Sequence, residues 1–256
     1  MSVWRTTMSR IGVFDSGLGG FTIAQAIHGR YPNQDIVFLA DQKNVPYGNK
    51  ETADLEDIIY ENMRWFYDLG IRDVILACNT TSVLSLTKVQ EDFRDLNLIR
   101  IIELTVSQLS KTRPQEILVL ATKVTIASHR YKQEIEKILP TCIVHEVALP
   151  NLAKLIEDLA DDSELHKDFS EYLAKYHRSN IDFMLGCTHY PLADKQLKSY
   201  LGGVSYSSIK PILEQASLFS EGSGLFTCYT TGDKDIFQRQ IKQLYGIDQA
   251  INKVDM

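Results

Sequence analysis

Eight short apolar runs punctuate the chain: RIGVF at 10–14, IVFLA at 36–40, DVILA at 73–77, IRIIE at 99–103, EILVLA at 116–121, CIVHEV at 142–147, DFMLG at 182–186 and LFTCYT at 225–230. Each has strand length; a buried helix needs about ten residues or more. The runs are continuously apolar rather than alternating, which marks strands covered on both faces, as in a parallel sheet. Between them, segments 51–69, 126–138, 151–160, 164–177 and 233–245 read as helices. In 51–69, Leu55, Ile58, Ile59, Met63, Phe66 and Leu69 fall at helical spacing. Gly70 and Gly246 stand as stop signals after two of these segments. Strand–helix alternation of this kind predicts an α/β fold with mostly parallel sheets flanked by helices.

A chain of 256 residues fits one large domain or two small ones. Two segments, VILACNTTS at 74–82 and FMLGCTHYPL at 183–192, sit at comparable points of two successive α/β stretches and suggest related halves. The net charge of −6 and the lack of a basic stripe argue against nucleic acid or an anionic membrane as the main partner. No run reaches the roughly 20 apolar residues of a membrane helix, and the opening MSVWRTTMSR has no apolar signal core. Met8 offers a second start, and Trp4 and Trp65 read as packing residues. The four cysteines are dispersed, with no C-x-x-C pair, so the expectation is free thiols in a reducing cytoplasm.

In open α/β sheets functional groups gather beyond the carboxyl ends of strands. Four segments occupy such places: FDSGLGG, ADQKNVPYG, ACNTT and GCTHYP. In the first, Asp15 and Ser16 leave a strand and Gly17, Gly19 and Gly20 permit a sharp turn whose N–H groups suit a carboxylate or phosphate. In the second, Tyr47 offers a hydroxyl and Gly48 an unshielded N–H. Cys142 and Cys228 lie inside apolar runs and read as buried small hydrophobes. Cys78 and Cys187 each end a run and enter a polar turn, where a helix start would favour the thiolate. A thiolate is a base as well as a nucleophile. Inverting a stereocentre by proton transfer needs two such groups, one on each face, because a single base tends to return the proton to the face it came from. Three other readings of the same residues stay open: a Cys–His nucleophilic hydrolase, a transition-metal site formed by Cys78, Cys187, His189 and an acidic residue, and a binding protein or regulator without turnover.

Together IGVFDSGLGG, DQKNVPYG, LACNTTS and LGCTHYPL, in that order between residues 11 and 192, resemble the glutamate racemases of the aspartate/glutamate racemase superfamily. His189 after Cys187-Thr188 favours the glutamate branch over aspartate racemases. The resemblance implies two pseudo-symmetric α/β domains, 1–103 plus 213–256 and 104–212, with the active site in the cleft between them. It implies an isomerase that interconverts L- and D-glutamate with no cofactor and no metal, and that supplies D-glutamate for peptidoglycan; a related acidic amino acid such as aspartate is the alternative substrate. It implies Cys78 as the base for D-glutamate and Cys187 as the base for L-glutamate, with Asp15, His189 and Glu157 assisting the thiols. Asp15, Ser16, Tyr47, Gly48, Asn79, Thr80, Thr188 and His189 match substrate-binding positions, and Asp41 an acidic position nearby. The chain departs from the family at Gln42, where Thr is usual, and at YSSIKP (206–211), where a second Asp-Ser-Gly-like motif is frequent. A homodimer is an option the sequence leaves open.

Overall fold

A computed structural model describes residues 10–256; Trp4 and Met8 lie outside the described residues. Ten strands are present among them: β1 (Ile11–Asp15), β2 (Ile36–Ala40), β3 (Asp73–Leu76), β4 (Asn97–Arg100), β5 (Glu116–Ala121), β6 (Ile143–Ala148), β7 (Ile181–Gly186), β8 (Gly202–Tyr206), β9 (Phe226–Thr230) and β10 (Ile251–Lys253). They form a six-stranded sheet, β10-β9-β2-β1-β3-β4, and a four-stranded sheet, β6-β5-β7-β8. Every pairing is parallel. The order β2-β1-β3-β4 in the first sheet is repeated by β6-β5-β7-β8 in the second, so β3 and β7 hold equivalent places.

The continuous apolar runs have the predicted cause. Along β1 and β2, Ile11, Val13, Ile36 and Phe38 join one core with Phe21, Phe237 and Ile241. Phe14, Val37 and Leu39 join another on the opposite face with Met63 and Phe66. In the second sheet Leu118, Leu120, Phe183 and Leu185 face one core, while Ile117, Val119 and Met184 face the other. Each large side chain buried in this way contributes roughly 1.5–3 kcal/mol. Cys142 and Cys228 are buried as expected.

Two expectations need correction, and two strands had no sequence signal. The run 99–103 is not one strand: β4 ends at Arg100 and a helix, Ile101–Ser107, begins. The segment 126–138 is broken at His129, whose φ of 52° is left-handed, so Lys123–Ala127 and Arg130–Ile138 are separate helices. The edge strand β8 and the three-residue β10 were not foreseen. Among the described residues no helix is long and apolar enough to cross a membrane.

Candidate active site

The carboxyl ends of β1, β2, β3, β5 and β7 meet around one cavity of about 510 Å³. Ser16, Tyr47, Gly48, Cys78, Asn79, Thr80, Glu157, Cys187, Thr188 and His189 all line it. The two cysteines enter it from separate sheets. Cys78 follows β3, and Cys187 follows the topologically equivalent β7.

The surroundings of the two thiols differ. Cys78 is the N-cap of a single turn of helix, Asn79–Ser82. Its Sγ donates to Ser16 Oγ at 3.5 Å. Burial, then the nearby Asp15 carboxylate, push this thiol up to about 11, against its hydrogen bonds with Ser16 and Thr81. The expected thiolate preference at this helix start is therefore not met, because one turn of dipole is outweighed by desolvation. Cys187 lies 3.8 Å from His189 Nδ1, and His189 Nε2 lies 2.7 Å from Glu157 Oε1. Burial alone would lower the His189 imidazole, but its hydrogen bonds to Cys187 and Glu157 and their charges push it up to about 10. A charged imidazole beside sulfur is the counter-ion that a thiolate needs.

Asp15 does not line the cavity. It is fully buried behind it, accepting from Gly17 N–H at 2.8 Å and from Thr188 Oγ1 at 3.1 Å. Burial raises this carboxyl, opposed by the charge of His189 and by those hydrogen bonds. Asp15 thus ties the loop after β1 to the loop after β7. Gly19 makes that meeting close: a Cβ there would stand 2.5 Å from Thr188 Oγ1 and 2.8 Å from the His189 backbone nitrogen. Asp41 is likewise buried, not lining. It accepts from Tyr47 Oη at 2.5 Å and Thr231 Oγ1 at 2.6 Å, and so fixes the Tyr47 hydroxyl.

No family model matches the chain. A glutamate racemase of Microcystis aeruginosa is 32% identical over 96% of this chain and 91% of that protein. The chain belongs to the glutamate racemase family. A second glutamate racemase, from Aquifex aeolicus, is 32% identical over 93% of this chain and 94% of its own length. The crystal structure of the Francisella tularensis glutamate racemase in complex with D-glutamate superposes with a TM-score of 0.86 at 26% identity, covering 97% of both chains.

Sequence reasoning missed several residues of this cavity. Thr122 follows β5, the counterpart of β1, and lines the cavity with its Oγ1 3.2 Å from Thr80 Oγ1. The duplicated strand order, which only the structure shows, gives it a place equivalent to the turn after β1. Val45 and Pro46 of the DQKNVPYG segment, with Pro150, Ala153 and Ile236, which no motif announced, add an apolar part to the wall. Gln42 lines the cavity as well, its Nε2 donating to Gln240 Oε1 at 3.0 Å.

Proposed function

We propose that this chain interconverts L- and D-glutamate by two-base proton transfer without a cofactor. The observation that carries the reading is one cavity receiving Cys78 and Cys187 from equivalent strand ends of two sheets. Cys187, paired with His189 and Glu157, takes the α-proton of L-glutamate. Cys78, protonated in the resting site, delivers a proton to the opposite face. D-glutamate reverses these roles. The backbone N–H of Gly48, the hydroxyls of Ser16 and Thr80, and the Asn79 amide hold the substrate's carboxylates, while Gly17 N–H and the Thr188 hydroxyl, committed to Asp15, fix the loops that present them. These fixed donors, with His189, stabilise negative charge developing at Cα without having to reorganise.

The reading includes two lobes, 1–103 plus 213–256 and 104–212, joined near the helices Ile101–Ser107 and Ile209–Leu213. It places the enzyme in the cytoplasm, where free thiols persist, and gives its product to peptidoglycan synthesis. Pairing as a homodimer is an extension of the family resemblance, tested by sedimentation equilibrium.

The test is incubation with each glutamate enantiomer in heavy water. Deuterium must enter Cα of the inverted product, with no cofactor added. Aspartate run alongside separates the two substrates, and absence of exchange with both glutamate enantiomers overturns the reading. The Cys187–His189–Glu157 array also suits a thiol hydrolase. That alternative requires a covalent acyl adduct on Cys187 and no role for Cys78, so mass spectrometry of trapped enzyme separates the two.

A further inference from the structure

Asn79 has an asymmetric setting. Its side chain lines the cavity, and its Oδ1 accepts from Tyr131 Oη at 2.7 Å. Its Nδ2 is buried with no hydrogen-bond partner. A side-chain amide is a donor at one end and an acceptor at the other, and a buried donor left unpaired is costly. The orientation that Tyr131 imposes thus leaves the donor end without a hydrogen-bond partner in the protein.

Tyr131 reaches Asn79 from the opposite half of the fold. It sits in the helix Arg130–Ile138, which packs with β5 and β7 in one core. The ring is 1% exposed, and its Cε2 lies 3.0 Å from where a Cβ on Gly186 would stand. Gly186 directly precedes Cys187, and Asn79 directly follows Cys78. The ring therefore rests against one thiol-bearing strand end while its hydroxyl grips the residue beside the other thiol. Burial, then the charges of Cys187 and Glu103, raise the phenol despite a hydrogen bond with Thr105. It is a neutral donor at physiological pH.

We propose that Tyr131 is a positioning residue: its hydroxyl locks the Asn79 amide with Nδ2 turned toward the substrate carboxylate, and its ring, seated on Gly186, references that lock to the loop carrying Cys187. The substrate half of this statement rests on the glutamate reading above; the locking half does not. Without the hydroxyl, Oδ1 loses its donor and the amide is free to flip. A flipped amide sets oxygen against a carboxylate and turns attraction into repulsion.

The experiment is Tyr131→Phe, which keeps the buried ring, measured alone and with Asn79→Ala. Melting curves confirm that each variant is folded. The first readout needs no turnover: the Asn79 side-chain NH2 resonances, assigned by their absence in Asn79→Ala. In Tyr131→Phe they must shift and broaden as both orientations become populated. Unmoved resonances overturn the lock whether or not the protein racemises glutamate. The second readout is kinetic. Loss of one hydrogen bond to a charged group raises KM for both enantiomers about tenfold or more in Tyr131→Phe. The same change adds less than about twofold when Asn79 is already Ala, because coupled residues are not additive. An unchanged KM, or an equal loss in both backgrounds, overturns the positioning role. A wild-type protein inactive on glutamate sinks the functional reading instead, and the amide resonances still decide the lock.

Discussion

Gly19 is the residue at which a single methyl group tests the architecture of the site. A Cβ at this position would lie 2.5 Å from Thr188 Oγ1, 2.7 Å from His189 Nδ1 and 2.8 Å from the His189 backbone nitrogen. The Thr188 hydroxyl can rotate, but the backbone nitrogen can move only with its loop. Ordinary contacts begin at 3.4 Å, so the loop carrying Cys187, Thr188 and His189 must retreat by about 0.6 Å, the difference between 3.4 and 2.8. That retreat stretches the 3.1 Å hydrogen bond from Thr188 to Asp15 and moves the loop carrying Cys187 away from the loop after β1. Overpacking of this kind costs roughly 1–3 kcal/mol of stability. Misplacement approaching 1 Å costs on the order of a hundredfold in rate. Gly19→Ala is therefore expected to lower racemisation about 30- to 100-fold while the protein stays folded. The matched control is Gly29→Ala in the helix Phe21–Arg30, where an added Cβ meets nothing within 4 Å. There the substitution should stabilise by about 0.5–1 kcal/mol and leave activity unchanged. Steady-state racemisation followed by circular dichroism, with thermal melts of both variants, gives the answer. A Gly19→Ala enzyme within twofold of wild type, with the same melting temperature, would refute the close approach of the loops.

Further outcomes follow from the same geometry. Cys78→Ser and Cys187→Ser should each abolish net inversion, while proton exchange at Cα from the face of the surviving thiol is read by NMR in heavy water; full inversion by either variant sinks the two-base reading. The His189 imidazole sits at about 10 in the folded protein against 6.5 as a free group. Its contribution to stability is thus fully present below about pH 6.5 and is lost as pH rises through about 10. Cys78, raised from 9.0 to about 11, drives stability the same way at the alkaline end. Melting temperature should fall across that window, and fall less steeply in His189→Gln. Glu157→Gln removes the carboxylate 2.7 Å from His189 Nε2, which should bring the imidazole titration toward neutral pH by NMR and lower kcat/KM about ten- to a hundredfold.

Much of the fold was legible because parallel strands covered on both faces leave unbroken apolar runs. The errors came from places where that logic misleads. Ile101 packs in one core and Ile102 in another, so the helix Ile101–Ser107 opens with adjacent apolar residues instead of a spaced stripe. It reads as strand by pattern and is helix by tertiary contact. β8, with the sequence GGVSY, is a half-exposed edge strand with two glycines, so it lacks the apolar signal of its neighbours. At the site, residues in turns after strands were visible because their polar side chains interrupt apolar runs. Tyr131 was not, since an aromatic residue inside a helical segment looks like core. It is core, and only its hydroxyl sets it apart. Asp15 was visible, but its position behind the cavity depends on how closely Gly19 lets two loops approach, which no one-dimensional pattern encodes.

The unequal settings of the two thiols raise a thermodynamic question. Cys78 is held protonated by burial and Asp15, whereas Cys187 faces a charged imidazole backed by Glu157. On the two-base proposal this asymmetry favours proton removal by Cys187, which would suggest a one-way enzyme. That conclusion fails, because enantiomers have equal free energies in water. Their equilibrium constant is unity, and kcat/KM must be the same in both directions at every pH and in every active variant. The asymmetry can only divide that common value differently between kcat and KM for each enantiomer. Glu157→Gln weakens the support of His189 alone, so it must lower both efficiencies by one factor. It is still free to change the two kcat values unequally, with the KM values following in proportion. Efficiencies that separate beyond error would mean that the measured process is not simple racemisation, as with hydrolysis through Cys187. Equal efficiencies with unequal kcat values are the signature of two thiols that differ in surroundings but share one transition state.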